Sequence, residues 1–84
     1  MSSIEKLIIK LKNIPADFKY SDLRRILKYL GYQEDNAGKT SGSRVQFVHQ
    51  EFYPIIIHKP HPGDEVNRAT LRDIISVLTE RNQI

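Results

Sequence analysis

The sequence predicts an α+β domain: a small three-stranded antiparallel sheet with helices packed on one face, in the order helix, helix, three strands, helix. Three observations carry the prediction. Apolar residues recur at helical spacing in three separate stretches. Two segments, Arg44–Val48 and Pro54–His58, are rich in β-branched and aromatic residues and sit five residues apart. With 84 residues the chain has the length of one domain, and helices this few cover only one face of so short a sheet.

The first helix is expected over Ile4 to Asn13, where Ile4, Leu7, Ile8 and Leu11 form a stripe among Glu5, Lys6, Lys10 and Lys12. Pro15 biases Ile14 out of helical geometry and ends it. In the second helix Ser21 is the expected cap, Asp22 suits the positive helix start, and Leu23, Ile26, Leu27 and Leu30 make the stripe. Gly31 stands where a left-handed residue closes a helix. Tyr32 to Asp35 reads as a short strand, and Asn36 to Ser43 as a polar loop.

The five residues His49 to Tyr53 predict a hairpin between the next two strands. Centring it on Glu51 sets Arg44 opposite His58, Gln46 opposite Ile56, and Val48 opposite Pro54. Val45, Phe47, Ile55 and Ile57 then share an apolar face, leaving the other face mixed and open. Lys59 to Asp64, with two prolines, reads as a stiff connector. Asn67 is the expected cap of the last helix, whose stripe is Leu71, Ile74, Ile75 and Leu78, with Arg68, Arg72 and Arg81 toward solvent.

Composition narrows the function classes. The absence of cysteine excludes disulfides and thiolate metal sites. Met1 to Lys6 lacks the pattern of a secretory signal, and no apolar run approaches a membrane span, so a cytoplasmic protein without membrane contact is expected. A net charge of +3 suits a nucleic-acid partner but does not single one out.

Four segments in order, Leu23-Arg24-Arg25-Ile26-Leu27-Lys28-Tyr29-Leu30-Gly31-Tyr32, Gly42-Ser43 before the strand with Phe47, His61-Pro62-Gly63, and Thr70-Leu71-Arg72-Asp73-Ile74-Ile75, resemble the HicA toxin family. The resemblance spans about Asp22 to Leu78. It implies a fold similar to double-stranded-RNA-binding domains, an mRNA-degrading toxin of a type II toxin–antitoxin pair, and a HicB-like antitoxin that covers the active surface. Within a single domain of 1–84, residues 20–81 are then the core and 1–15 an extra N-terminal helix. The family pattern Gly-Ser-His, whose histidine is taken as catalytic, reads Gly42-Ser43-Arg44 here. Arginine stays protonated and cannot accept a proton from a ribose hydroxyl, though it pairs well with phosphate.

The candidate site follows from these readings. Arg44 is the candidate phosphate or transition-state contact, against the plainer role of a solvated strand arginine. His58, opposite Arg44, is of the residue type suited to proton transfer and is the candidate acid–base group, against that of a surface histidine. Lys39, Thr40, Ser41 and Ser43, with Lys59, are the candidate RNA-binding residues beside Arg44, against ordinary turn and surface roles. His61 and Pro62 are expected to be structural, and His49 is given no role. Tyr20, Tyr29, Tyr32 and Phe18 are expected to pack the helices. No cofactor is expected, and His58, His61, Asp64 and Glu65 make an awkward metal set with two prolines among them. Three functions stay open: an RNA-binding toxin with metal-independent endoribonuclease activity, a catalytically silent RNA-binding or protein-interaction module, and a small DNA-binding domain. The last is disfavoured, since no helix-turn-helix spacing appears.

Overall fold

A computed structural model describes residues 3–35, 44–60 and 63–84. The elements run α1 (Ser3–Lys12), α2 (Tyr20–Tyr29), β1 (Gln33–Asp35), β2 (Arg44–Val48), β3 (Ile55–His58) and α3 (Arg68–Glu80). The sheet is antiparallel in the order β1-β2-β3, with the helices on one face. Both the α+β class and the element order match the expectation.

The hairpin register is also as expected: Arg44 faces His58, Val45 faces Ile57, Gln46 faces Ile56 and Phe47 faces Ile55. Val45, Phe47, Ile55 and Ile57 are buried, because a two-residue period puts alternate side chains on the helix-covered face. They meet Leu23, Ile26 and Leu27 of α2, Leu71, Ile74 and Leu78 of α3, and Leu11 of α1 in one core. The expected pairing of Val48 with Pro54 is not made. Proline has no N–H to give a ladder, so β3 begins at Ile55 and Val48 is paired only on its other side, opposite Gln33 of β1.

Helix ends explain two further differences. Lys19, not Ser21, precedes the first turn of α2, and no side chain caps it. The Tyr20 N–H instead donates to the Asp64 carbonyl at 2.7 Å, since residues 18–20 and 64–66 lie together through a Lys19–Glu65 bridge. That contact ties the connector after β3 to the start of α2. At the other end Gly31 has φ +100°; its N–H reaches the Lys28 carbonyl and that of Tyr32 the Leu27 carbonyl, a Schellman closure. Asn67 caps α3 as expected, its side chain accepting from Thr70 N–H at 2.8 Å.

Tyr29 does not pack: it is 63% exposed, whereas Phe18, Tyr20 and Tyr32 are buried as expected. The stripe of α2 is centred on Leu23, Ile26 and Leu27, and Tyr29 falls on the opposite side of the helix. Arg81 is not simply solvated either. Its guanidinium donates to the Tyr32 hydroxyl at 2.7 Å and stacks on Phe52 with 5.0 Å to the ring centroid.

Candidate functional site

Because α1, α2 and α3 cover one side of the sheet, the other side is open. By alternation that face carries Gln33 and Asp35 from β1, Arg44, Gln46 and Val48 from β2, and Ile56 and His58 from β3. The face runs in three rows across the strands: Gln33 with Val48 at the hairpin end, Asp35, Gln46 and Ile56 in the middle, and Arg44 with His58 at the other end. Beyond the first row, at the hairpin tip, Tyr53 is 85% exposed.

Arg44 and His58 are direct cross-strand partners, both exposed. Side chains so paired project in parallel from Cα atoms about 4.5–5.5 Å apart, close enough to engage a single phosphodiester. Arg44 opens β2 directly after residues 36–43, and His58 closes β3 directly before the proline connector. The two residues stand on an exposed face, which suits a polymer lying across the sheet better than an enclosed small molecule.

Lys59 follows His58 and so turns to the helical side, where its ammonium lies 5.8 Å from the Tyr20 ring centroid. It borders the pair without sharing its face. Lys39, Thr40, Ser41, Ser43, His61 and Pro62 lie outside the described residues. Arg68, expected toward solvent, donates from Nε to the Ile14 carbonyl at 3.1 Å and so holds the end of α1. Asp35 was not anticipated. It shares the open face and is opposite Gln46, one step diagonally from Arg44. Its neighbour Glu34 is the signal that was available: opposite Phe47, it must face the helices, which sends Asp35 the other way.

Glu34 is taken up elsewhere. Its carboxylate accepts from the Tyr20 hydroxyl at 2.6 Å and pairs with Arg24 Nε at 3.0 Å. Burial, and then the Glu34 carboxylate, push the Tyr20 phenol well above its ordinary range, so it stays protonated and takes no part in acid–base chemistry near neutral pH. Among the described residues no three histidine, aspartate or glutamate side chains gather as metal ligands would. None of the described helices is long and apolar enough to cross a membrane.

His49, given no role from the sequence, is a structural wedge. Its Nδ1 accepts from Glu51 N–H at 3.0 Å, which leaves the proton on Nε2, 3.2 Å from the Leu30 carbonyl. The ring lies between Tyr32 and Phe52, with centroids 4.8 and 4.9 Å away. It therefore locks the hairpin turn to the end of α2, at the end of the sheet away from Arg44 and His58.

No curated protein and no solved structure matches the chain. A family model does: that of the HicA toxin of bacterial toxin–antitoxin, over residues 20–78, from the start of α2 to the last turns of α3. The match takes in the whole sheet and the Arg44–His58 pair and leaves α1 outside. Since it covers more than half of the sequence, the chain belongs to the HicA toxin family and is the toxin member of a toxin–antitoxin system, with an antitoxin as its counterpart.

Proposed function

We propose that this toxin acts in the cytoplasm on messenger RNA, as an endoribonuclease that needs no metal and is silenced by a HicB-like antitoxin. The observation that carries the proposal is the cross-strand pair of Arg44 and His58 on an open sheet face. Arg44 holds the scissile phosphate and stabilises the charge that builds on it. His58 takes the proton of the 2′-hydroxyl as that oxygen attacks phosphorus. The P–O5′ bond breaks, the 5′-oxygen takes a proton from water, a 2′,3′-cyclic phosphate is left, and His58 returns its proton to the solvent. Residues Lys39, Thr40, Ser41 and Ser43 before Arg44 hold neighbouring backbone phosphates, and Lys59, on the helical side of the edge, adds positive charge beside them.

A second reading rests on a specific observation. Arg44 stands where the family pattern has a histidine, which favours a chain that binds RNA, or another protein, without cutting it. One experiment separates the two: purified chain incubated with RNA, with and without a chelator, as wild type, Arg44→Ala and His58→Ala. On the catalytic reading, cleavage survives chelation and falls by about 10²–10⁴ in His58→Ala. Loss of cleavage on chelation, or full activity in His58→Ala, refutes the mechanism. Binding without cleavage by the wild type selects the silent module. In either case binding should weaken steeply with salt, Lys39→Ala and Arg44→Ala each lowering the log–log slope by about one.

A further inference from the structure

β3 is an edge strand whose outer side pairs with no strand among the described residues. Such edges are usually guarded by a charge, a proline or a bulge within the strand. Here the guards flank the edge, Pro54 before it and Lys59-Pro60 after it, and its middle is Ile55-Ile56-Ile57. Ile56 is 53% exposed on the open face. Beneath the edge, between β3 and α3, runs a groove of about 350 Å³ with Ile74 and Val77 along it and Asp73 and Arg81 on its wall. An unguarded apolar edge above an apolar groove is a place where a further strand docks.

We infer that the strand that docks there is β3 of a second copy of this chain, in an antiparallel, two-fold arrangement that joins the sheets into one of six strands. The residue pattern supports this occupant through two independent symmetries. Antiparallel partners must lie on the same face, so a two-fold axis has to fall on a residue. An axis at Ile56 sets Ile56 against Ile56 of the second copy, Ile55 against Ile57, and Pro54 against His58. Isoleucine meets isoleucine at the centre of both faces, and no lysine, arginine, aspartate or glutamate enters the strand pairing. Asp73 on α3 and Arg81 at its C-cap lie at equal distances in sequence from Val77. An antiparallel pair of α3 helices centred on Val77 therefore sets Asp73 of each copy toward Arg81 of the other, whose guanidinium keeps donors besides the one on the Tyr32 hydroxyl. A wall with one acid and one base so placed is complementary to itself, as a two-fold interface requires.

The arrangement puts both Arg44–His58 pairs on one continuous face. Their His58 residues are four positions apart along neighbouring strands, about 14 Å at the usual strand rise and spacing. The contact is small by the standard of stable dimers, so association is expected to be weak, with a Kd of about micromolar or above.

The chain has no cysteine, which makes the test direct. An axis at Ile56 brings the two Cα atoms to about 4.5–5.5 Å, within disulfide range. Under mild oxidation Ile56→Cys should become a covalent dimer, while Gln46→Cys, on the same face of the central strand, should not. Light scattering of the wild type across rising concentration should show the mass climbing from 9.8 kDa toward twice that value. Ile56→Lys should hold it at 9.8 kDa, and Asp73→Arg should weaken association at least about tenfold. Both substitutions fall on exposed positions, and an unchanged circular-dichroism spectrum checks that the fold is kept. A wild type that stays monomeric overturns the inference, as does a dimer indifferent to Ile56→Lys or one that cross-links equally through position 46.

Discussion

Replacing Phe47 by alanine tests the register on which the whole site depends. Phe47 is the central residue of the buried face, 2% exposed, with Glu34 on one side and Ile55 on the other. Truncating a buried phenylalanine costs about 3–5 kcal/mol, from lost transfer energy and the cavity left behind. A chain of 84 residues has about 4–13 kcal/mol of stability in all, so the loss takes a large part of it or the whole. In a domain of this size each kcal/mol moves the melting temperature by about 4–8 °C, so a drop of at least about 12 °C is expected. The control is Gln46→Ala, one residue away on the open face, which should move the midpoint by no more than about 4 °C. Thermal unfolding followed by circular dichroism measures both. Had the strand slipped by one residue, Phe47 would face water and Gln46 the core, and the two results would change places. A Phe47→Ala variant that melts within about 4 °C of wild type would therefore refute the register, and with it the pairing of Arg44 with His58.

Two further outcomes follow from the packing. A Cβ at Gly31 would meet His49 Nε2 at 2.8 Å, and φ there is +100°, so Gly31→Ala should destabilise by at least about 1–2 kcal/mol. His49→Ala removes the obstructing ring, so the double variant should lose measurably less in urea unfolding than the two single losses added; strict additivity would refute the wedge. For Tyr20, the raised phenol ionisation means that folding holds the proton more tightly than the unfolded chain does. Its contribution is thus intact below the ordinary phenol value of about 10 and is lost as pH rises above it. Stability should fall in that alkaline window, and less steeply in Tyr20→Phe. Equal slopes would show that folding does not raise the Tyr20 ionisation, through burial or through Glu34.

What was legible in the sequence was whatever a local period dictates. The stripes of α2 and α3, the alternation of Arg44–Val48 and the cap at Asn67 are each set by residues within a few positions of one another. The facing of Arg44 and His58 was legible for the same reason, since turn length and a single apolar face leave one consistent register. Contacts between distant segments were not. Ser21 looked like a cap because serine often is one. But the helix begins two residues earlier, so that Leu23 N–H, a donor Ser21 would have capped, already bonds the Lys19 carbonyl, and the helix start is held by Tyr20 N–H on the Asp64 carbonyl, 44 positions away in sequence. His49 looked idle because its partners at Leu30, Tyr32 and Phe52 come together only when the hairpin folds against the end of α2. The closing segment likewise carries no periodic signal. Yet Arg81 and Gln83 both bond the Tyr32 hydroxyl, and Gln83 also donates to the Leu30 carbonyl at 3.1 Å.

The arrangement of these contacts bears on how the proposed site would work. The wedge of His49 and the bonds from Arg81 and Gln83 to Tyr32 and Leu30 fix the hairpin end of the sheet. The connector is held at the other end through Asp64, Glu65 and Val66, which pair with Phe18 to Tyr20. Arg44 and His58 are thus mounted on a backbone anchored at both ends, although the side chains themselves are exposed. On the proposed reading this is what an arginine at the family's histidine position requires. A guanidinium can hold a phosphate from many approaches, but a proton acceptor must reach one hydroxyl in one orientation. An acceptor moved to the neighbouring strand works only if the two strands do not slide. The ladder of four residue pairs between β2 and β3, with its apolar side sunk in the core, supplies that constraint. The same constraint makes position 58 the strand position from which an acid–base group reaches a phosphate held by Arg44, because position 56 is one pleat away and position 57 faces the core.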